Sequence, residues 1–575
     1  MGRIYDNRKA PRVLRGNEEK TMSDFESKIY AAAGEAVQAV YDITPEDGLY
    51  VVETPQDPKF GDYSTNVAMK LARTLRKNPM EIAEALAAKL GELLAAEVES
   101  VTVARPGFIN FRLKQDALGG LINKVIDAGE TYGRNDSGKG KRVLVEWVSA
   151  NPTGDLHCGH ARNAAWGDCI CRLMEASGYD VLREYYVNDA GNQIVMLGKS
   201  LTARYFEYFG RDDYPLPEDG YHAEDVRQIA YEIAKKDGDK WLDAPEEERM
   251  AYFMQTGKEL ELKKIEKDLL AYGVKIDSWM HETFFYENDR ARINACLRMM
   301  QDKGLLYEQD GALWFRSTDY GDDKDRVLRK SDGTLSYLTP DIANHVYKIE
   351  RGYPKLVDLW GADHHSYITR MKAALTALGY PEDTLEVDLI QMVRMVEDGV
   401  EVKMSKRTGN ALTLRELCND IGLDAARWFF VAKDVSTHMD LDLKLARSRD
   451  NDNPVYYAQY AHSRMNSILT NPKIAKFERC ERYDRLDDER ELMLLKKIGE
   501  FPAEVASDAA LRKPNKLTDY IISLVKTFHS YYNAVKVNNP DDPELTNQRL
   551  GLVTATMITL KNALSLIGVS APESM

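Results

Sequence analysis

Residues 142–160 read RVLVEWVSANPTGDLHCGH, and this stretch decides the fold. Its first seven residues are an almost unbroken apolar run, as in a parallel strand whose two faces are both covered by helices. A helical pattern follows over Ala161–Ser177, then a second apolar strand, DVLREYYV, over Asp180–Val187. Strand, helix and strand in that order predict a βαβ unit with a right-handed crossover. Later strands are expected at Leu356–Trp360 and Glu386–Val396. The mostly helical, charged region from about 198 to 335, with a small β piece at Ala312–Arg316, reads as an insertion into the sheet domain. The fold class is therefore α/β, a Rossmann-like parallel-sheet domain spanning 116–452 with insertions.

On the N-terminal side, helical periodicity begins at Phe25, and β signals at Ser100–Arg105 and Phe108–Leu113 give an α+β domain over 22–115. Residues 1–21 carry six basic and three acidic side chains without apolar periodicity, so a disordered leader is expected there. From Asn453 onward only helical periodicity remains, with apolar-periodic runs at Glu491–Val505, Leu517–Val535 and Leu550–Leu566, and 453–575 reads as an all-α bundle.

Composition bounds the function classes. With 575 residues, 44% hydrophobic and 29% charged, the chain resembles neither a collagen nor a largely disordered protein. No apolar run approaches the ~18 residues of a membrane span. Six scattered Cys with no C-x-x-C pair argue for a reducing, cytoplasmic setting and against a zinc ribbon; no metal site is expected. The net charge of -15 weighs against a nucleic-acid partner. That charge is not uniform, since residues 451–575 hold 16 basic and 16 acidic side chains and residues 1–450 carry all the excess acid. Basic patches therefore remain available, as in the helical stripe Lys70, Arg73, Arg76 and Lys77, which reads either as a phosphate track or as a solvated face.

Two motifs carry chemistry. His157-Cys158-Gly159-His160 lies at the first strand-to-helix turn, where helix N–H groups and a glycine favour phosphate. An H-x-G-H pattern arises by chance only about 0.01 times in a chain of this composition. Its rivals are metal binding, with His364-His365 as the nearest further ligands, and simple capping. Lys403-Met404-Ser405-Lys406-Arg407 follows an apolar strand and suits a leaving pyrophosphate, or else an ordinary solvated loop. Glu146 stands on an apolar strand, where an unpaired carboxylate is costly and a ligand cation would compensate it. Asp341 follows Tyr337 by four residues, one face of a helix, although Asp341 could instead cap that helix after Pro340 and Tyr337 could be a core aromatic.

Together, H-x-G-H and K-M-S-K resemble the paired signature of class I aminoacyl-tRNA synthetases. The segments WVSANPTGDLHCGHARNAAWGD, YLTPDIANH, WGADHHSYITRM, VKMSKRTGNALTLRELCNDIGLDAARWFF and PVYYAQYAHSRMNSI narrow the resemblance to bacterial-type arginyl-tRNA synthetases. FGDYSTNVAM and ARPGFINFRL are similar to that family's additional N-terminal domain, which contacts the tRNA corner, and the last helices to its anticodon-binding bundle. The resemblance implies ATP-dependent ligation of L-arginine to the terminal adenosine of tRNA(Arg), with AMP and pyrophosphate released, Mg²⁺ as cofactor, bound tRNA required for activation, and a monomer. It gives catalytic roles to His157, His160, Lys403 and Lys406, and ATP contacts to Gly159, Asp363, His364, Met404 and Ser405. Glu146, Tyr337 and Asp341 would hold the guanidinium, and Ser149, Asn151 and His160 the amino-acid backbone. Phe108, Asn110, Tyr457 and Tyr460, with Tyr456, would meet tRNA bases, unless they are strand-face or core residues. In place of the usual last Ser of K-M-S-K-S stands Arg407, which leaves both lysines in place. Rival readings are a small-substrate nucleotidyltransferase, which would exchange pyrophosphate without tRNA, and a catalytically silent RNA-binding relative, for which the intact His and Lys pairs have no use.

Overall fold

The computed structural model describes residues 12–15, 18–22, 24–55, 57–402, 412–474 and 476–575. They form two compact units, one of 141–171 and 180–447, the other of the residues before 141, 172–179 and 448–575.

The first of these is built on β1 (Arg142–Glu146), β2 (Asp180–Val187), β3 (Ser278–His281), β4 (Lys355–Gly361) and β5 (Leu385–Ile390). All pair in parallel in the order β5-β4-β1-β2-β3. Three helices bear on the site: α1 (Cys158–Ala176), α2 (Leu338–Glu350) and α3 (His365–Leu378). Leu144, Leu356 and Leu385 from the sheet share one core with Ile342 and Val346 of α2 and Met371 and Ala374 of α3. On α1, Gly167 is required: a Cβ there would stand 2.5–2.8 Å from the ring of buried Trp147. A smaller sheet, β6 (Val393–Glu397), β7 (Val400–Glu401) and β8 (Met439–Asp442), follows in the order β7-β6-β8.

The parallel register brings Asp358 of β4, Glu146 of β1 and Glu184 of β2 side by side on one rung, with Ser278 of β3 beyond them. The C-terminal part of α2 answers this row of acids. Lys348, fully buried, places its ammonium 2.6 Å from Glu146 and 3.3 Å from Asp358. His345 Nε2 lies 2.9 Å from Asp358, and Arg351 reaches Glu184 at 2.5 Å. The other nitrogen of His345 lies 2.8 Å from the Asp341 carbonyl oxygen. Asp358 is held below the ordinary carboxylate range by Lys348 and His345 despite its burial.

Three expectations change. Ser278–His281 lies inside the expected insertion yet is a strand of the main sheet, so the inserted region is interrupted by the sheet itself. Its four residues, SWMH, carry no apolar run. The expected strand Glu386–Val396 is two strands of different sheets, broken at Gln391–Met392. Within the expected leader, Arg12–Arg15 pairs antiparallel with Glu18–Thr21.

The second unit holds a four-stranded antiparallel sheet in which Phe108–Leu113 lies between Tyr63–Thr65 and Val98–Ala104, flanked by helices Asp24–Tyr41 and Pro79–Leu93. Its all-α part contains Pro454–Leu469, Glu489–Leu511, Pro514–Ala534 and Pro543–Leu566. Among the described residues no helix is long and apolar enough to cross a membrane.

Lys348→Met leaves two buried carboxylates without their ammonium and should destabilise the sheet unit by about 3–5 kcal/mol, read as a lowered denaturant midpoint. Adding Glu146→Gln should recover part of that loss; no recovery would mean that the rung is not what the lysine stabilises.

Candidate active site

A cleft of about 1470 Å³ opens where β1, β4 and β5 end. In open α/β sheets ligands sit outside the carboxyl ends of strands. The cleft exceeds the ~300–1,000 Å³ usual for one small ligand, so two reactants can share it.

One wall is the loop between β1 and α1. Val148 and Ser149 adopt positive φ, +66° and +39°, a strained conformation for a β-branched residue. Asn163 holds it, accepting from the Val148 N–H at 2.9 Å while donating to the Leu359 carbonyl at 3.1 Å. Ser149 Oγ donates to Glu146 at 3.0 Å and accepts from the Tyr186 N–H at 3.0 Å.

The rings of His157 and His160 stack 3.8 Å apart. The Gly159 N–H donates to Nδ1 of His157 at 3.1 Å, and the His157 N–H to Nδ1 of His160 at 3.3 Å. Both Nδ1 atoms are therefore acceptors, and each neutral ring carries its proton on Nε2. Burial lowers the pKa of both rings, that of His160 to about 3, with His157 adding to the effect. The pair thus offers two neutral N–H donors instead of two cations. Gly159 makes room for it, since a Cβ would meet the His157 ring at 3.0 Å.

At the opposite wall, Asp341 lies in the first turn of α2 and accepts from the Tyr367 hydroxyl. It is not the helix cap; that position is Tyr337, whose side chain is 80% exposed and so is no core aromatic. Glu282 also lines this wall, with burial and the negative charge of Asp341 raising its pKa to about 7. Asp341 is itself pushed upward by burial. The buried Tyr186 hydroxyl and Asn344 Oδ1 line the same space without a hydrogen-bond partner among the described residues. Two strained carboxylates and orphan polar atoms suit a polar cation. Glu146, expected to face a ligand cation, already has the Lys348 ammonium 2.6 Å away, although burial still pushes its carboxyl upward.

Glu146, Ser149, Asn151, His157, Gly159, His160, Tyr337, Asp341, Asp363 and His364 all line the cleft. Asp363 and His364 form an exposed pair 3.5 Å apart at its rim. Lys403, Met404, Ser405 and Lys406 lie outside the described residues, while Val402 and Leu412 on either side of that segment line the cleft. Leu412 accepts from Cys158 Sγ at 3.1 Å, and the Leu414 N–H donates to the Leu156 carbonyl at 2.7 Å, so the segment's exit is fixed beside the paired imidazoles. Phe108, Asn110, Tyr457 and Tyr460 belong to the other unit. Of the expected exposed face Phe108, Asn110 and Arg112, only Arg112 is exposed; Asn110 retains 4% of its surface. Tyr456 and Tyr460 stack 6.2 Å apart on helix Pro454–Leu469, and Arg464, one turn on, covers the ring of Tyr532 at 5.0 Å.

Sequence reading missed Glu282, Tyr186, Asn344 and Tyr367. Alternation along DVLREYYV could have sent one of its two tyrosines to each face of the sheet, whereas Glu282 follows the unrecognised β3 and had no signal. Among the described residues no group of three or more His, Cys, Asp or Glu could hold a metal ion.

Nitrogen-detected NMR should show Nδ1 of His160 unprotonated and Nε2 protonated from pH 5 to 8; a midpoint near 6.5 would contradict the assignment. The linked stability has a definite sign. Unfolded imidazole takes a proton near 6.5 and the folded ring only near 3, so this contribution is complete above pH 6.5 and falls away as the pH drops below it.

Comparison with known proteins completes the picture. Residues 25–113 match the family model described as arginyl tRNA synthetase N terminal domain, 122–467 that of tRNA synthetases class I (R), catalytic domain, and 458–575 that of DALR anticodon binding domain. The chain is 51% identical to the arginine–tRNA ligase of Bacillus subtilis, over 91% of this chain and 94% of the relative. It is 49% identical to arginine–tRNA ligase 1 of Halalkalibacterium halodurans, over 97% and 99%. A crystal structure of an arginyl tRNA synthetase from Campylobacter jejuni superposes with a TM-score of 0.74 at 34% identity, covering 80% of this chain and all of that one. With a class I catalytic model spanning most of its length and relatives near half identity end to end, the chain belongs to the arginyl-tRNA synthetase family.

Proposed function

We propose that the chain activates L-arginine with ATP and transfers the arginyl group to the terminal adenosine of tRNA(Arg). The observation that carries the reading is the pairing, within one cleft, of two neutral imidazole donors at a helix start with two carboxylates on the far wall. A guanidinium brings five N–H donors and a permanent charge, which Asp341, Glu282 and Tyr337 can answer. The orphan atoms of Tyr186 and Asn344 supply further polar contacts. Ser149, Asn151 and His160 hold the carboxylate and amino ends, and Glu146, paired with Lys348, keeps Ser149 oriented.

In the first step the arginine carboxylate, ionised at neutral pH, attacks the α-phosphorus in line and pyrophosphate leaves; no general base is needed. His157 and His160 donate Nε2–H to the phosphate oxygens as charge builds. Gly159, Asp363 and His364 contact ATP, as do Met404 and Ser405 by the family's pattern, with Lys403 and Lys406 toward the pyrophosphate. Mg²⁺ enters with ATP as part of the nucleotide substrate. In the second step the terminal adenosine's 2′-hydroxyl attacks the activated carbonyl and AMP leaves. The stripe of exposed Tyr460 and Arg464 with half-buried Tyr456, and Tyr457 beside it, suits stacking on unpaired anticodon bases, and Phe108 and Asn110 are assigned to the tRNA corner. We place the protein in the cytoplasm as a monomer.

ATP–pyrophosphate exchange with each amino acid, with and without tRNA(Arg), tests the reading. Exchange is expected with arginine only when tRNA is present, and exchange driven by another amino acid, or none from folded protein, would refute it. Asp341→Asn should weaken arginine binding by about 10–100-fold in calorimetry, the loss of a charge-assisted contact of roughly 1.5–3 kcal/mol, while ATP binding stays unchanged. Arginine binding should also be proton-linked. Glu282 is half protonated near pH 7 in the empty site, and the guanidinium favours its ionised form. Affinity should therefore rise about tenfold from pH 6 to pH 8, with proton release visible between buffers of different ionisation enthalpy. A flat profile would remove Glu282 from the pocket's charge.

A further inference from the structure

The residue two places after the second signature histidine, Arg162, is not among the residues that line the cleft. It is nonetheless completely buried on the first turns of α1. Its guanidinium spends its donors on four backbone carbonyls. Nη1 donates to Gln391 at 2.9 Å and to Thr437 at 3.0 Å; Nη2 donates to Asp434 at 2.9 Å and to Lys433 at 3.5 Å. Among the described residues no carboxylate stands at hydrogen-bond distance, and Nε has no partner. Burial draws the guanidinium's pKa down to about 10, with Asp434 only partly offsetting it. Bare packing would be better served by an apolar side chain, because a buried cation without a bonded counter-charge is costly.

The four carbonyls have something in common. Gln391 is the break between β5 and β6, where the chain leaves the main sheet for the small one. Lys433, Asp434 and Thr437 form the turn that leads from helix Leu423–Val431 into β8, the partner of β6. The two segments also meet directly, the Gln391 N–H donating to the Val435 carbonyl at 3.0 Å. The guanidinium thus ties the starts of both parallel strands, β6 and β8, to the helix that begins at the paired imidazoles. Gln391, at the clamped junction, and Met392, Val393 and Met395 after it line the same cleft as His157 and Gly159. Asn163, the next residue on α1, holds the opposite loop through Val148 and Leu359.

We infer that Arg162 is a positioning residue for the nucleotide half of the site: its planar fork sets the small sheet's cleft-lining edge at a fixed distance from the His157–His160 pair. The inference rests on the reading of that half as the ATP site. Lysine cannot reproduce it, since an ammonium on a flexible stem is a point charge and not a fork spanning two segments. A misplacement of this wall by about 1 Å would weaken productive ATP binding by ten- to a hundredfold. The acidic pocket of Asp341 and Glu282, built on α2 and beyond β3, would be left as it is.

The test is steady-state ATP–pyrophosphate exchange, with tRNA(Arg) present, on the wild type, Arg162→Lys and Arg162→Gln, varying ATP and arginine separately. Thermal unfolding of each protein, with and without ATP, accompanies it. Arg162→Lys is expected to raise the KM for ATP at least about tenfold, to keep the KM for arginine within about twofold, and to lose most of the ATP-induced rise in Tm. Arg162→Gln should show the same split, more strongly. Equal changes in both KM values, a wild-type KM for ATP in Arg162→Lys, or an insoluble Arg162→Lys would each overturn the positioning role. Absence of arginine-dependent exchange in the wild type would instead strike the functional reading, and an ATP-induced Tm shift measured without arginine separates the two failures.

Discussion

Three carboxylates abreast on one rung of a parallel sheet are tolerable only when something basic covers them all, and in this chain α2 does so. Asp358, Glu146 and Glu184 meet His345, Lys348 and Arg351, a slanting row on the helix that faces the slanting rung. The match fixes more than charge. A helix lying on a sheet through apolar contacts alone can slide or rotate at modest cost, whereas a displacement here would strand buried ions. The rung therefore sets where α2 begins, and α2 begins at Tyr337 and Asp341 on the cleft wall. The position of the proposed guanidinium contacts is inherited from ion pairs two and three turns further along the helix.

Charge is apportioned across the cleft in a consistent way. On the α1 side the imidazoles are held neutral, with backbone donors filling Nδ1, so they give hydrogen bonds without adding positive charge. On the α2 side the acids of the rung face Lys348 and Arg351, and burial pushes Asp341 and Glu282, as well as Glu146, upward, so this wall is the one that favours a cation. An amino acid with a cationic end and an anionic end has a natural orientation in such a cleft. The strained Val148–Ser149 turn between the two sides is held by Asn163 and by the Ser149 hydroxyl, so the strain is supported on both flanks.

Much of this was legible in the chain. RVLVEWV and DVLREYYV announced the parallel sheet, because strands covered on both faces cannot alternate, and β2 runs over the expected residues. The four terminal helices followed from apolar periodicity, and the H-x-G-H turn from its place between strand and helix. What escaped has physical causes. β3 is four residues long and nearly devoid of aliphatic side chains, so periodicity had nothing to register. The break at Gln391–Met392 is made by tertiary bonds from Arg162 and Val435, which leave no local trace. Glu146 was correctly seen as a carboxylate in need of a cation, but the partner sits 202 residues away, and no spacing rule links the two.

The acid rung also divides the molecule by its response to salt. Its ion pairs lie between sheet and helix, where mobile ions do not penetrate, so raising ionic strength leaves them almost as strongly coupled as before. The exposed cations Lys70, Arg73, Arg76 and Arg464 are bathed in electrolyte and lose their reach within a Debye length of about 8 Å at physiological salt. A polyanion held by such surface groups would dissociate long before the cleft changed shape. Grip on a large charged partner and fidelity toward a small one are in this way governed by two media, one that feels the solution and one that does not.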